Sequence, residues 1–320
     1  MNGLDDTLNL PREKVSQRIA LLRGTGTLSG LKWRENLLAY VFLGPSLILF
    51  GIFFFYPMIQ SVYLSLHSTD LTGRVNGFVG LDNFIYLVKN DFFLHGLKIT
   101  LYFALLTVPT SILVALLLAA LSNGKRKGLT LFQFAYSLPV VLSVGSSSVI
   151  WMFLFHPSLG MFNYFLSLLH MSPINWLVDP KWALLSVSLM TVWMNLGFNY
   201  IILSSGLRGI PDEIRESAAI DGAGPLRLFV RILLPLLSPT LFFLVIVSII
   251  SSFQAFGQIN ILTHGGPMNS TNVLVFSIYQ EAFENFRFGT GSAQALVLFI
   301  IIIILTLVQF KWAEKKVHYQ

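Results

Sequence analysis

The chain has 320 residues, of which 54% are hydrophobic and only 11% are charged. A soluble domain carries about 25% charged residues, so this composition excludes an ordinary water-soluble enzyme and predicts a protein surrounded by lipid. The absence of cysteine excludes disulfides and Cys-ligated metal sites. The net charge is +6, and the positions of the Lys and Arg residues indicate membrane topology rather than nucleic-acid binding.

Six apolar runs follow in chain order, each long enough to cross a bilayer, which takes about 20 residues. Because backbone groups in lipid must satisfy one another, each run is predicted to be a helix. The runs lie at 38–66, 97–121, 131–156, 182–206, 233–258 and 291–311, and kinks are expected at Pro45, Pro57, Pro109 and Pro139. The predicted fold class is therefore an all-α membrane protein with six transmembrane helices.

Most Lys and Arg residues lie in the N-terminal tail, the second and fourth loops, and the C-terminal end. The positive-inside rule places these segments, and so both termini, in the cytoplasm. This predicts a cytoplasmic tail at 1–36, a membrane domain at 37–312 and a cytoplasmic tail at 313–320. The first apolar run is too long for a signal peptide and is expected to remain as an anchor. The first external loop, about 67–96, is expected to form a small cap or an interfacial helix.

Several functional classes lack the residues they need. No Asp or Glu lies in an apolar run, although proton- and ion-driven carriers usually need such a carboxylate. There is no phosphate-binding loop of the type G-x-x-x-x-G-K-[ST], and the six histidines are scattered rather than set at metal-ligand spacing. The chain is therefore not expected to be an enzyme, to bind a metal or cofactor, or to hydrolyse ATP by itself.

The fourth loop, 207–232, carries the strongest local signal. Pro211 suits the first turn of a helix, and Asp212 and Glu213 suit its positive end. This helix is expected to run to about Asp221 and to be followed by a second short helix from Leu226 to about Leu234. Ile214, Ala218 and Gly222 would share one face. That face either offers a shallow surface to another protein or packs on its own bundle, with roughly even odds.

This loop resembles the coupling loop of binding-protein-dependent ABC importer permeases, whose pattern is E-A-A-x-x-x-G-x9-I-x-L-P. The matching residues are Glu216, Ser217, Ala218, Gly222, Ile232, Leu234 and Pro235, and Asp221-Gly222-Ala223 resembles the D-G-A of the carbohydrate uptake branch. Ser217 departs from the pattern by a small-for-small change. Resemblance to the same branch extends to segments 44–46, 56–57, 78–84 and 265–267. Resemblance to glycerol-3-phosphate permease subunits is found at 308–310 and 316–320.

The resemblance implies the partners and the mechanism. A set of loop residues, which we call the coupling set, would dock on a cytoplasmic ATPase. Glu216 would contact the ATPase, and Ala218 and Gly222 would allow close approach. The coupling set comprises Glu216, Ser217, Ala218, Asp221, Gly222, Ala223, Ile232 and Pro235. A second permease, two ATPases that bind MgATP, and an external substrate-binding protein would complete the importer, in a bacterial or archaeal cell membrane. ATP-driven closure of the ATPases would switch the permeases between inward-open and outward-open states.

Polar residues within the fourth and fifth runs are candidates for the substrate path. They are Trp193, Asn195, Asn199, Tyr200, Gln254, Gln258 and Asn260, and the four-residue spacing of Gln254 and Gln258 predicts that they share a face. Amides suit sugar hydroxyls, but they equally serve as hydrogen-bonding glue between helices. No cation lies in this path, which favours a neutral sugar over glycerol 3-phosphate, although a partner permease could supply the charge.

The sequence thus predicts the permease subunit of an ABC importer for a sugar or oligosaccharide, with glycerol 3-phosphate or a glycerophosphodiester as the alternative cargo. A secondary carrier is disfavoured because the membrane runs lack charge, and a membrane-embedded enzyme because no catalytic set converges. A scaffold or sensor that uses the same loop only for docking remains a third alternative.

Overall fold

The structure, a computed structural model, describes residues 27–124 and 128–313. The basic triplet 125–127, most of the predicted N-terminal tail and residues 314–320 lie outside that part of the chain. The chain divides into two compact units, Met1–Gln60 and Ser61–Gln320, which are described separately. Its helices are α1 Thr27–Phe50, α2 Tyr56–Ser65, α3 Asp82–Lys89, α4 Asp91–Leu121, α5 Leu129–Ser137, α6 Val144–Leu154, α7 Met161–Leu168, α8 Pro180–Arg208, α9 Asp212–Ile220, α10 Pro225–Leu228, α11 Leu234–Leu236, α12 Ser238–Phe253, α13 Gly257–Leu262, α14 Leu274–Tyr279 and α15 Phe288–Ala313.

The described part of the first unit, residues 27–60, is helical. A single wide turn, Gly51–Phe55, joins α1 to α2 without a break, and Pro45 lies inside α1. The apolar side chains from Leu38 to Phe55 are mostly exposed, including Phe42 at 80%. Such a surface is unfavourable in water and suits contact with lipid.

Four helical stretches in the described residues are long and apolar enough to cross a membrane, and two bent pairs raise that number to six if each pair is one span. The four are Leu38–Ser65, Asp91–Leu121, Pro180–Arg208 and Phe288–Lys311. The bent pairs coincide with the third and fifth predicted runs, which bend by 109° and 67° respectively. The chain is therefore a multi-pass, mainly helical membrane protein, but two of its predicted spans are not continuous helices.

The breaks have local causes. After α5, residues Leu138–Val141 form a tight helical turn that contains Pro139, Leu142 becomes extended, and Ser143 then caps α6 by accepting a hydrogen bond from Ser146 N at 3.1 Å. Pro235 and Pro239 flank the second break, at Leu237. Proline removes a helical hydrogen bond and crowds the preceding turn, which is why helices bend at such positions.

The predicted all-α class needs one correction, because the loop after α2 contains a small β-hairpin. Strand β1, His67–Thr69, pairs antiparallel with β2, Val75–Phe78. Asp70 holds the turn by accepting hydrogen bonds from the backbone N–H groups of Thr72 and Arg74, each at 2.9 Å. Helix α3 follows the hairpin, so this loop has regular secondary structure of its own.

The core of the second unit is built around α4 and α8, which are each about 45 Å long at 1.5 Å per residue. Both helices contribute to two apolar clusters, one at each end. One cluster contains Phe103 and Met190, and the other contains Ala115 and Leu203. Gly197 on α8 brings this helix close to the Leu138–Val141 turn, since an added Cβ would lie 2.7 Å from Val140 N.

Candidate functional site

The first helix of the predicted coupling loop forms where the sequence placed it. Helix α9 runs from Asp212 to Ile220, with Asp212 and Glu213 in its first turn. It ends at Gly222, which has a φ of +74°. Ala223 N donates to Ala218 O at 2.9 Å and Gly222 N donates to Ala219 O at 3.1 Å. This pair of bonds is the Schellman motif, which requires a left-handed residue and favours glycine there.

The orientation of α9 corrects the interpretation of its small-residue face. Ala218 is only 4% exposed, and Ile214 packs against the cluster that contains Leu207 and Leu233. That face therefore packs on its own chain, which is the second of the two alternatives. Of the three residues on this face, Gly222 remains accessible, because no atom lies within 4 Å of a Cβ added to it.

The exposed side of α9 is formed by three other residues of the predicted coupling set and by Ile220, which was not predicted. Glu216, Ser217 and Asp221 are exposed, and Ile220 is 86% exposed. Glu216, Ser217 and Ile220 lie within one turn of one another, so they form a single ridge, which we call the α9 ridge. It combines a carboxylate, a hydroxyl and an apolar anchor.

The rest of the set lies on the segment that follows α9. Ala223 is half-buried in the turn after Gly222. Ile232 is half-buried within a wide helical turn, Phe229–Leu233, and the neighbouring Leu233 is buried. Pro235 is exposed at the start of α11. The second helix that the sequence predicted over Leu226–Leu234 is present, but it contains this wide turn, which the sequence did not indicate.

Arg215 makes contacts that the sequence did not indicate. Its Nη2 donates to Leu207 O at 2.7 Å, at the C-terminal end of α8. With the amide of Asn123 turned so that its oxygen faces the guanidinium, that oxygen accepts from Nη1 and Nη2, both at 3.1 Å. Asp212 Oδ1 lies 4.0 Å from Arg215 Nε. One side chain thus joins α9 to the ends of both long helices.

Three of the predicted path residues form hydrogen bonds between helices. Asn199 Nδ2 donates to Ser111 Oγ at 3.2 Å, and Tyr200 Oη lies 2.8 Å from Ser122 Oγ, so both connect α8 with the α4 region. Gln258 Nε2 donates to Thr191 Oγ1 at 3.4 Å, which connects α13 with α8. All three side chains are buried and paired within the chain.

Gln254 and Gln258 do not share a helical face, contrary to the prediction. Helix α12 ends at Phe253, Phe256 departs from helical geometry with φ −127° and ψ −58°, and α13 begins at Gly257. Gln254 is consequently exposed while Gln258 is buried. Asn260, further along α13, has its Oδ1 3.1 Å from Nδ1 of His264.

The remaining path candidates lie on α8. Trp193 is half-buried, with its ring centroid 5.7 Å from that of Trp151 in an aromatic cluster that also includes Phe155 and Trp176. Asn195 is half-buried. Thr191, Asn195 and Asn199 recur every four residues and so line one side of α8. Of these, Asn195 is the amide left partly accessible.

In the described ranges no group of His, Asp and Glu residues could hold a metal ion. A buried carboxylate does occur, at Glu281, which accepts from Asn285 Nδ2 at 3.2 Å and lies 3.7 Å from Arg287 Nη1. Its partners are local, on the same turn and the following loop. It is explained by that pairing rather than by an ion-coupling role.

Comparisons with known proteins identify the family of the chain. A family model described as binding-protein-dependent transport system inner membrane component matches residues 99–319. The chain is 36% identical over 289 residues to the sn-glycerol-3-phosphate transport system permease protein UgpA of Pectobacterium atrosepticum, covering 90% of this chain and 98% of that protein. It is 36% identical over 288 residues to UgpA of Agrobacterium fabrum, covering 89% and 97%.

A solved structure shares the fold. A chain from the crystal structure of a bacterial alginate ABC transporter, in complex with an alginate pentasaccharide-bound periplasmic protein, superposes with a TM-score of 0.77 at 23% identity. The match covers 88% of this chain and 96% of that chain. The family match and the identity to the permease proteins show that the chain belongs to the binding-protein-dependent transport system inner membrane components, as a permease of the carbohydrate-uptake branch of ABC importers.

Proposed function

We propose that this chain is a transmembrane subunit of an ATP-driven importer whose cargo is glycerol 3-phosphate or a closely related polyol phosphate. The observation that carries this proposal is the 36% identity to glycerol-3-phosphate permeases over nearly the full length of both chains. The chain would cross a bacterial inner membrane six times, with each bent pair acting as one span. Both termini and segment 207–232 would face the cytoplasm, in keeping with the distribution of Lys and Arg.

The proposed partners are a second permease, two ATPase subunits that bind MgATP, and an external substrate-binding protein. The α9 ridge is the surface offered to an ATPase, because Glu216 and Ile220 are exposed on a helix whose other side is anchored to its own bundle. ATP-driven closure of the ATPases would move α9 and so alternate the access of the path. ATP hydrolysis would take place on the separate ATPase chain.

A neutral sugar or oligosaccharide is the second candidate cargo. The described side chains proposed for the path are amides and aromatics, such as Asn195, Gln254 and Trp193, rather than cations. A phosphate monoester is recognised most strongly by Arg, Lys or a helix N-terminus. Import of a phosphate through this path would therefore draw its positive charge from the second permease.

The test is to purify the complex that assembles with this chain from its native membrane and to assay MgATP hydrolysis. Binding protein loaded with glycerol 3-phosphate, or with each of a panel of neutral sugars, would be added in turn. Stimulation by glycerol 3-phosphate supports the first cargo, and stimulation by one sugar supports the second. A preparation without ATPase activity would refute the importer proposal.

A charge reversal locates the docking surface. Glu216→Lys is expected to abolish copurification of the ATPase or its stimulation, because it places a cation where the ridge presents a carboxylate. Asp82→Lys serves as the matched control, since Asp82 is an equally exposed acid on α3, in the loop proposed to be external. Equal behaviour of the two variants would refute the docking role of the ridge.

A further inference from the structure

Arg215 lies beside the α9 ridge, and its guanidinium makes its hydrogen bonds within its own chain. We propose that Arg215 is a positioning residue that fixes α9 to the ends of α4 and α8, so that a movement imposed on α9 is passed to both long helices. This inference rests on the proposed function, because it assumes that an ATPase moves α9.

The geometry makes Arg215 a three-way connection. Its Nη2 donates to Leu207 O at 2.7 Å, on the last turn of α8. With the Asn123 amide oriented so that its oxygen faces the guanidinium, both terminal nitrogens donate to that oxygen at 3.1 Å, just beyond the end of α4. The Arg215 side chain is 24% exposed, whereas that of Asp212, its nearest acid, is 74% exposed. Its principal partners are therefore the neutral oxygens of Leu207 and Asn123 rather than the carboxylate of Asp212.

The electrostatics favour a cation at this point. The last four carbonyl groups of a helix lack intrahelical partners and carry the negative end of the helix dipole. Leu207 O is one of these groups on α8, and Asn123 follows the corresponding end of α4. A single guanidinium thus lies at the negative ends of two long helices. Hydrogen bonds to a charged group are roughly twice as strong as neutral ones.

The ends that Arg215 contacts are themselves tied together. Gln133 Nε2 on α5 donates to Ser122 O at 3.1 Å, and Arg208 Nη2 donates to Gln133 Oε1 at 3.1 Å. Tyr200 and Ser122 link α8 with the end of α4, with their oxygens 2.8 Å apart. A displacement of either end is therefore shared among α4, α5 and α8 through direct contacts.

A cavity of about 610 Å³ lies beside this contact. Its lining includes Asn123, Gln133, Arg208, Asp212 and Arg215 and is mostly polar. The Arg215 hydrogen bonds therefore provide a direct polar connection between α9 and the bundle on this side. Loss of these bonds should leave α9 folded, since Ile214 and Ala218 still pack on the opposite side, but loosely coupled to α4.

The fork shape of arginine is essential to the proposal. A guanidinium presents five N–H groups in a rigid plane, so it can serve Leu207 O and Asn123 Oδ1 at once. A lysine ammonium is a point charge on a flexible stem and cannot hold both acceptors in the same way. Arg215→Lys therefore separates the effect of geometry from that of charge.

The experiment uses the assembled transporter in liposomes and compares wild type, Arg215→Ala, Arg215→Lys and Asn123→Ala. The control is Arg227→Ala, an exposed arginine on the same segment. Copurified ATPase, basal MgATP hydrolysis, and uptake of radiolabelled glycerol 3-phosphate or of the sugar that stimulates the wild type are measured together. The decisive quantity is cargo taken up per ATP hydrolysed.

We expect Arg215→Ala to retain the ATPase and its basal hydrolysis but to transport about tenfold less cargo per ATP, the equivalent of losing one charge-assisted hydrogen bond. Arg215→Lys should not restore coupling, and Asn123→Ala should show part of the loss with no further loss in the double variant. Arg227→Ala should match wild type.

Three results would overturn the inference. Normal coupling in Arg215→Ala would remove the transmission role while leaving the proposed function intact. Full coupling in Arg215→Lys would show that charge alone matters. Loss of the ATPase from Arg215→Ala, with assembly kept in Asn123→Ala, would make Arg215 a docking residue. A wild-type complex without ATPase would instead refute the proposed function and the inference with it.

Discussion

Asn199 on α8 donates a hydrogen bond from Nδ2 to Oγ of Ser111 on α4, 3.2 Å away, and both side chains are buried. The two residues join the helices that form the centre of the second unit. From sequence, Asn199 was equally compatible with binding cargo and with holding helices together. The contact supports the second role, because the amide is already paired and only 1% exposed.

Replacing Asn199 with Ala should therefore lower stability more than it alters cargo selection. The expected loss is about 1 kcal/mol, within the range for hydrogen bonds between transmembrane helices. Ser111→Ala should cost a similar amount, and the double variant should cost less than the sum of the two. Unfolding of the detergent-solubilised complex, followed by heating or by added denaturing detergent, measures this. Additive costs would contradict a direct bond.

Asn195→Ala is the matched control, since Asn195 lies one turn earlier on α8 and is half-buried rather than buried. We expect this variant to unfold at the wild-type temperature. If Asn195 contributes to the path, its loss should instead reduce transport of the cargo. The same unfolding and uptake measurements distinguish the two positions.

The end of α9 depends on Gly222, which adopts a φ of +74° in the Schellman motif. A residue with a Cβ costs about 1–2 kcal/mol in the left-handed region. Gly222→Ala should therefore fray the end of α9 and weaken coupled ATP hydrolysis, although no atom lies near the new Cβ. Hydrogen exchange of the Gly222 and Ala223 amides reports the fraying directly.

Gly224→Ala provides the comparison, because Gly224 has a φ of −65° and a ψ of 162°, which alanine adopts freely, and its added Cβ would also meet nothing. This variant should keep both wild-type exchange and wild-type coupling. If Gly222→Ala behaved in the same way, neither the end of α9 nor coupling would depend on the left-handed conformation of Gly222.

The sequence predicted much of this architecture because its signals are local. The positions of the apolar runs, the start of α9 after Pro211 and its end before Gly222 all follow from neighbouring residues. Helical periodicity showed that Ile214 and Ala218 share a face, but it could not show that this face packs inward. That choice depends on the bundle, which is formed by residues distant in sequence.

The errors concern features that leave no local signal. The prediction that Gln254 and Gln258 share a face failed because α12 ends at Phe253 without a nearby Gly–Pro stop signal, so the spacing alone still suggested a continuous helix. The proline at 139 predicted a kink but not a bend of 109°. Likewise, Arg215 was indistinguishable from the other loop cations until Leu207 and Asn123 were found beside it.

The hairpin after α2 should respond to acid through Asp70. Hydrogen bonds from the Thr72 hydroxyl and then the Arg74 backbone N–H stabilise the carboxylate and lower its pKa below the ordinary 3.8. Because the folded pKa is the lower one, the charged form stabilises the turn above pH 3.8, and this stabilisation is lost as the pH falls through the folded value. Carboxyl-carbon NMR of aspartate in lipid nanodiscs would follow the titration.

Asp70→Asn keeps the shape of this side chain and removes its charge. The variant should show no acid-dependent loosening of the turn, as measured by exchange of the Thr72 and Arg74 amides after correction for the intrinsic pH dependence. An acid response that persisted in Asp70→Asn would assign the pH dependence to another group. A midpoint above 3.8 for Asp70 in the wild type would contradict the predicted direction.

The close approach of α8 to the turn Leu138–Val141 depends on Gly197. An added Cβ would lie 2.7 Å from Val140 N and 3.0 Å from Ser137 O, and these are backbone atoms that cannot rotate away. Replacing a helical glycine with alanine normally stabilises the helix by about 0.5–1 kcal/mol, but in Gly197→Ala the overpacking should dominate and cost about 1–3 kcal/mol net.

Gly145→Ala on α6 is the control, since its added Cβ would meet only Ser143 Oγ, at 3.9 Å. In thermal unfolding of the purified complex, Gly197→Ala should unfold below the wild type and Gly145→Ala at or above it. The reverse order would mean that α8 and the bend are not held together at this contact.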